Sequence, residues 1–257
     1  MVLAEAIPAE AALQGVGDPA KVMEDKLQEL VDRLKHAHRE RLRSVILYGS
    51  AASGEHNEHF SDLNVLCVLA RITPAELAES APIFEWWRTS NNPSPLLLSE
   101  EELRTSTDCF PIEFQDMKER RRVLFGPDLI EDLVIEKVFY RAQVEMELRA
   151  KLLRLRQHAA GILLNKPELL RLMIDSVPNF LVLARHALLL SGVASGWRKR
   201  EIVRHLPDIG ADSTPFDILL DLRDQSKLAR DVDPEALFAS YLTQIEALVN
   251  HVDRLEK

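Results

Sequence analysis

Segments with the pattern of a β-strand are confined to the first half of this 257-residue chain. Short apolar runs there, such as Val45–Tyr48 and Leu63–Leu69, are typical of buried strands and alternate with helical patterns. After Asp128 only helical periodicity remains, broken at Asn165–Pro167. The contrast predicts an α+β chain, in which a domain built on a mixed sheet is followed by an all-α helix bundle.

We expect the sheet domain at residues 18–128 and the helix bundle at 129–257. Residues 1–17 are rich in alanine and weakly periodic, so we expect a flexible N-terminal arm there. Pro178 should kink or split its helix. Capping boxes at Thr73–Glu76 and Ser99–Glu102 predict two helix starts, and Gly126 should end the last strand in a turn. The other predicted elements are strands over 95–98, 110–114 and 122–125 and helices over 129–164, 167–191, 198–206, 215–229 and 234–256.

The net charge of −9 falls almost entirely in the first 128 residues. A general nucleic-acid binder needs a positive field, so we exclude that class. The longest stretch without Asp, Glu, Lys or Arg is His186–Trp197, which is shorter than the ~18 residues of a membrane span. Cys67 and Cys109 both lie beside apolar residues, and we interpret both as buried thiols of a cytoplasmic protein.

A polar constellation follows the first predicted strand. Gly49 and Ser50 form a turn whose backbone N–H groups and hydroxyl suit the phosphates of a nucleotide. The segment Ser61-Asp62-Leu63-Asn64 then opens the second strand, and the two-residue period of a strand puts Asp62 and Asn64 on the same side. Neighbouring oxygen ligands at a strand end are what Mg²⁺ and its triphosphate require.

This combination resembles the nucleotidyltransferase superfamily of the polymerase-beta-like type, whose signature is a Gly-Ser turn, an Asp-x-Asp strand and a third carboxylate from a later strand. The segment Arg120–Asp128 and the helical second half are closest in layout to aminoglycoside adenylyltransferases. The resemblance implies nucleotide contacts from Gly49, Ser50 and Ser61.

The resemblance also assigns the chemistry. Asp62 would be catalytic and hold Mg²⁺, Asn64 would be a further ligand, and Glu113 would serve as the third carboxylate, either as a metal ligand or as the base. Asp116 is the alternative to Glu113, although three positions further along a regular strand it would face the opposite side. The implied reaction is Mg²⁺-dependent transfer of a nucleoside monophosphate from an NTP to a hydroxyl of a small, cationic acceptor, with pyrophosphate leaving.

Two residues depart from the family pattern. Asn64 stands where the family has its second acid, and a carboxamide brings no negative charge to a site that must hold divalent ions. Ser53 stands where an arginine often follows the turn. The alternative to an active transferase is therefore a non-catalytic nucleotide-binding or protein-interaction module. A third hypothesis is one half of a toxin–antitoxin-like pair that acts on a partner protein. The oligomeric state stays open.

Overall fold

The structure is a computed structural model that describes residues 19–53 and 62–255. The predicted arm, residues 1–17, lies outside this range. The described residues divide into two compact units. The first contains the residues up to Thr107 together with Phe114–Leu133, and the second contains Asp108–Glu113 and the chain from Val134 onwards.

The first unit is built on a four-stranded mixed sheet with the strand order β3-β2-β1-β4. Strand β1 is antiparallel to both of its neighbours, and β2 is parallel to β3. Leu30, Leu34 and Trp87 are fully buried in a core with β1 and β2. The strands are β1 (Leu42–Tyr48), β2 (Asn64–Leu69), β3 (Leu96–Ser99) and β4 (Arg121–Phe125), and the helices are α1 (Pro19–His38), α2 (Pro74–Thr89) and α3 (Glu100–Thr105). Helix α4 (Pro111–Glu119) belongs to this unit from Phe114 onwards.

Two capping boxes begin helices in the first unit, as the sequence predicts at Thr73 and Ser99. At the start of α2, the Thr73 hydroxyl accepts a hydrogen bond from the Ala75 N–H at 3.2 Å, and the Glu76 carboxylate accepts one from the Thr73 N–H at 3.0 Å. Glu76 is buried and also accepts from Arg41 at 2.7 Å. A hydrogen bond that the Thr73 hydroxyl donates to the Glu76 carboxylate, together with the bond from Arg41, lowers the pKa of Glu76 to about 2.

The strand predicted over 110–114 is wrong, because these residues begin helix α4 at Pro111. Proline suits the first turn of a helix, where its missing N–H costs nothing. Pro111, Phe114 and Met117 are buried at intervals of three residues, which is a helical period. The five-residue segment Phe110–Phe114 has the pattern of a strand only when Met117 is left out.

Gly126 ends β4 with a positive φ of 78°. A Cβ atom at this position would lie 2.1 Å from the carbonyl oxygen of Arg43, so only glycine fits. The predicted helix over 129–164 starts later than expected, at Lys137. The residues before it form turns, one of which is fixed by the Asp128 carboxylate accepting from the Ile130 N–H at 3.1 Å.

The second unit consists of helices around a single large core. Helix α6 is at its centre and runs unbroken through Pro178, so the predicted split does not occur. By length and composition α6 could cross a membrane, but 56% of its most apolar window is buried, as in the core helix of a bundle. After α4, the helices are α5 (Lys137–Ile162), α6 (Lys166–Leu190), α7 (Lys199–His205), α8 (Thr214–Arg223) and α9 (Pro234–Arg254).

The two thiols differ from each other. Cys67 is fully buried on β2, as predicted, and burial raises its pKa to about 12. Cys109 is exposed, so the prediction of a second buried thiol is wrong. A hydrogen bond to Asp108 raises the pKa of Cys109.

Candidate nucleotide site

The Gly-Ser turn lies directly after β1. Gly49 has a φ of 82°, a backbone conformation that glycine adopts without strain. Its N–H donates to the Arg120 carbonyl at 3.0 Å, and its own carbonyl accepts from the Ala52 N–H at 3.1 Å. Ser50 begins the short 3₁₀ turn Ser50–Ser53. The turn is therefore held on both sides by backbone hydrogen bonds, at the end of a buried strand.

Asp62 and Asn64 approach this turn from β2. The predicted alternation is found: Leu63 and Val65 are buried, Asp62 is exposed and Asn64 is half-buried. Asn64 pairs with Tyr48 in the antiparallel register. Its side-chain nitrogen lies 3.5 Å from the place that a Cβ atom on Gly49 would occupy. The Asn64 carboxamide thus lies against the Gly-Ser turn.

Strand β4 brings a cation to the same end of the sheet. Arg121 pairs with Tyr48 on the side opposite Asn64. The Arg121 Nε donates to both oxygens of the Asp128 carboxylate, at 3.0 and 2.8 Å. Burial raises the pKa of the neighbouring Tyr48 hydroxyl. The sequence marks Arg121 only as part of the basic run Lys118–Arg122, which could be either a solvated turn or a counter-charge to a triphosphate. Its pairing with Tyr48 is a finding of the structure.

Few acidic residues lie on the strands themselves. Strands β3 and β4, both fully described, contain no aspartate or glutamate. Across residues 19–53 and 62–255, no group of three or more His, Cys, Asp and Glu side chains is placed to hold a metal ion. At this end of the sheet, Asp62 and Glu119 each precede a strand by two residues, and the Asp128 carboxylate is bonded to Arg121. Asp62 is the one of these three acids that the sequence predicts as a metal ligand.

Glu113 lies on a helix and not on a strand of the sheet. It is exposed in the first turn of α4 and belongs to the second unit, where it accepts a hydrogen bond from Gln143 Nε2 at 3.2 Å. Asp116, the alternative, is three residues further along the same helix, so the two acids share a helix face. The expectation that they point to opposite sides of a strand is wrong. Ser61 lies outside the described residues, and its role stays a prediction.

No family model matches the sequence, and no curated protein sequence matches it. Solved structures do match. Spectinomycin adenyltransferase AAD(9) from Enterococcus faecialis, solved with ATP and spectinomycin, is similar with a TM-score of 0.56 and 13% identity, over 90% of this chain and 99% of that one. A toxin–antitoxin structure with AMP-PNP matches over 53% of this chain, with a TM-score of 0.29 and 14% identity. The chain therefore has a nucleotidyltransferase-like fold, with an α+β domain followed by a helical region.

Proposed function

We propose that this chain binds a nucleoside triphosphate at the Gly49–Ser50 turn and that Asn64 leaves it a poor nucleotidyltransferase. The observation that carries the proposal is the position of the Asn64 carboxamide against the turn, where the related fold would use a second acid. Binding needs N–H donors and a hydroxyl, which the turn supplies. Efficient transfer needs two divalent ions held close together, and that requires negative charge.

The residues present fit one Mg²⁺ ion. Asp62 supplies a carboxylate and Asn64 a carbonyl oxygen, and phosphate oxygens of the nucleotide would complete a set of hard ligands. A bound Mg²⁺ would neutralise part of the triphosphate charge. Asp62 would hold the metal ion, and Ser50 would donate to a terminal phosphate oxygen. Glu113 is proposed only as a further ligand or a base toward the acceptor hydroxyl.

A second candidate is transfer to a small hydroxyl-bearing acceptor. The observation in its favour is that the match to the spectinomycin adenyltransferase extends over the helical region and covers nearly all of that enzyme. By analogy, the acceptor would be a cationic small molecule, and the donor ATP. A protein partner, the third hypothesis, has no independent support from the described residues.

Thermal-shift measurements with ATP, GTP, CTP and UTP, each with and without Mg²⁺, test the binding. At a nucleotide concentration of about 100 times Kd, we expect about 2.7 kcal/mol of stabilisation by at least one NTP. Ser50→Ala should reduce it. Ser106→Ala is the matched control, because Ser106 ends α3 in the same unit and α3 begins at the end of the sheet opposite the turn. If no nucleotide stabilises the protein, the proposal fails.

Transfer is tested separately with an α-labelled NTP and Mg²⁺. We expect little transfer by the native chain and a clear gain for Asn64→Asp, because the substitution restores the missing charge. Asp62→Asn in that background should remove the gain. Rapid transfer by the native chain would favour the second candidate, and binding without any gain in Asn64→Asp would mean that Asn64 is not what limits the reaction.

A further inference from the structure

Helix α5 has two apolar faces, although a helix at the surface of a bundle normally has one. The face toward the core carries the buried residues Tyr140, Arg141, Val144, Leu148, Leu152, Leu155 and Ala159. On the opposite face, Phe139, Met146 and Leu153 recur every seven residues and are 45%, 58% and 63% exposed. Seven residues are close to two helical turns, so the three side chains lie in one line.

One charged residue, Arg149, lies at the edge of that outer face, and the other residues of the face are uncharged. At 100° per residue, the positions within about 60° of its centre form a stripe that runs from Phe139 to Gly161. We call the uncharged members of this set the outer stripe: Phe139, Ala142, Gln143, Met146, Ala150, Leu153, Gln157, Ala160 and Gly161. The space that a side chain would occupy at Gly161 is open. A solvent-facing helix surface is usually rich in charge, so a stripe about 33 Å long with a single charge at its edge indicates a surface that another helix covers.

We propose that the outer stripe binds the outer stripe of a second copy of this chain, with the two α5 helices antiparallel. A twofold axis at Ala150 makes the stripe self-complementary. It places Gln143 opposite Gln157 of the second copy and the large Phe139 opposite Gly161. Met146 comes within one residue of Leu153 of the second copy. Small residues therefore face each other at the axis, and large side chains meet small or flexible ones on both sides of it.

The charges beside the stripe favour the same arrangement. In an antiparallel pair, residues on the same flank of the two helices face each other. Glu147 then lies within one residue of Arg154 of the second copy. Arg154 has no ion pair or hydrogen bond with any residue in the described ranges, and Glu147 contacts Lys151 only at 3.7 Å. The twofold axis produces two such Glu147–Arg154 contacts, one on each side of it. Each would pair a carboxylate and a guanidinium that have weak or no ionic partners within their own chain.

Arg149 is the charged residue closest to the axis, and its position is compatible with the pair. Its Nε donates to Glu145 at 2.8 Å, and its terminal nitrogen lies 3.7 Å from Asp253. The guanidinium is therefore directed toward its own bundle. A contact between two single helices is small for a stable interface, so we expect a reversible dimer with a micromolar Kd.

Sedimentation of the full chain over low to high micromolar concentrations tests the association. Met146→Glu and Leu153→Glu should each weaken it by about tenfold or more, because both put a charge in the contact. Val182→Glu is the matched control, since Val182 is 48% exposed on α6 of the same unit. Because all three sites are exposed, circular dichroism should show unchanged folding. A chain that stays monomeric throughout, or one that responds only to Val182→Glu, overturns the proposal.

The charge pair has its own test. Glu147→Arg and Arg154→Glu should each weaken the dimer, and the double variant should recover most of the loss. If the double variant weakens the dimer by the sum of the two single effects, Glu147 and Arg154 do not contact each other across the interface. A different result would be a chain that stays monomeric and binds lipid vesicles, with the vesicle binding abolished by Met146→Glu. That result would identify a lipid surface as the occupant and would also overturn the proposal.

Cysteine crosslinking tests the direction of the helices in a Cys109→Ser background, which removes the exposed native thiol. Ala150→Cys should form a disulfide between copies, because the residue faces itself. Ala160→Cys should not, because antiparallel copies separate these residues by about 30 Å. Equal crosslinking of both variants would indicate parallel helices and overturn the antiparallel arrangement.

Discussion

The two units bury polar groups in different ways. In the sheet unit, the buried carboxylate of Glu76 is matched by Arg41, which donates to Glu76 at 2.7 Å and to Glu79 at 2.6 Å. In the helical unit, the buried guanidinium of Arg185 lies 3.4 Å from the ring centre of Trp197, and His186 contacts the Tyr140 hydroxyl at 2.7 Å. The buried Glu76 of the sheet unit therefore has cationic partners, whereas Arg185 and His186 of the helical unit have aromatic neighbours. Arg141, which is also buried in the helical unit, is paired with Glu145 at 2.8 Å. The difference predicts distinct responses to mutation and acid.

The largest expected effect is at Trp197. Replacing it by leucine (Trp197→Leu) removes the aromatic face under a desolvated guanidinium, and we expect the helical unit to lose about 2 kcal/mol or more. Chemical denaturation followed by far-UV circular dichroism measures the loss, and hydrogen exchange assigns it to a unit. A change below about 0.5 kcal/mol would show that the ring contributes little to burying Arg185.

The second effect is an acid response of the helical unit. Burial lowers the pKa of His186 to about 3, so below about pH 6.5 the unfolded chain binds a proton that the folded chain does not. Stability is complete above that pH and falls on acidification by up to about 1.4 kcal/mol per pH unit, which gives about 2 kcal/mol at pH 5. In His186→Asn, the loss between pH 7 and 5 should be smaller by that amount. If the free energy of unfolding falls equally with pH in the native protein and in His186→Asn, this prediction is wrong.

The third effect lies in the sheet unit. Thr73→Ala removes the cap of α2, and we expect a loss of about 1 kcal/mol. Glu76 has a lowered pKa, so its contribution is present above pH 4.5 and disappears toward pH 2, and the variant should show a weaker acid response in that range. Ser213→Ala is the control, since Ser213 precedes α8 without making a side-chain cap bond. Equal losses in both variants would mean that the capping box has no special role.

The smallest effect is at an exposed counterpart of the Arg185 contact. Arg33 lies 4.3 Å from the ring centre of Trp86 and pairs with Glu29 at 2.6 Å, near the surface. We expect Arg33→Gln to cost the sheet unit about 0.5 kcal/mol, and less at high salt. A loss as large as that of Trp197→Leu would remove the distinction between the units.

The sequence predicts the local features of the fold well. The buried strands around Val45 and Leu66, the caps at Thr73 and Ser99 and the Gly126 turn all depend on neighbouring residues, and all are found. The errors occur where a short apolar segment fits two structures. The run Phe110–Phe114 has the composition of a strand, but its burial repeats every three residues once Met117 is included.

The residues of the candidate site also divide into those that the sequence could place and those that it could not. Asp62, Asn64 and the Gly-Ser turn could be placed together from the sequence because they flank two paired strands. Glu113 could not be placed, since its assignment required a strand that the chain does not form. Arg121 could be recognised from the sequence only as one member of a basic run, because its place beside Tyr48 depends on which strands are neighbours in the sheet, and that is a property of the tertiary structure.

The edges of the sheet have a consequence for handling the protein. Strand β3 is four residues long, directly preceded by Pro95 and followed at once by helix α3. The opposite edge, β4, begins with Arg121 and Arg122. Short strands, proline and charge are the features by which natural sheets prevent edge-to-edge aggregation. We therefore expect the sheet unit to stay dispersed at the concentrations that the α5 measurements need, so that any self-association seen there can be assigned to the helices.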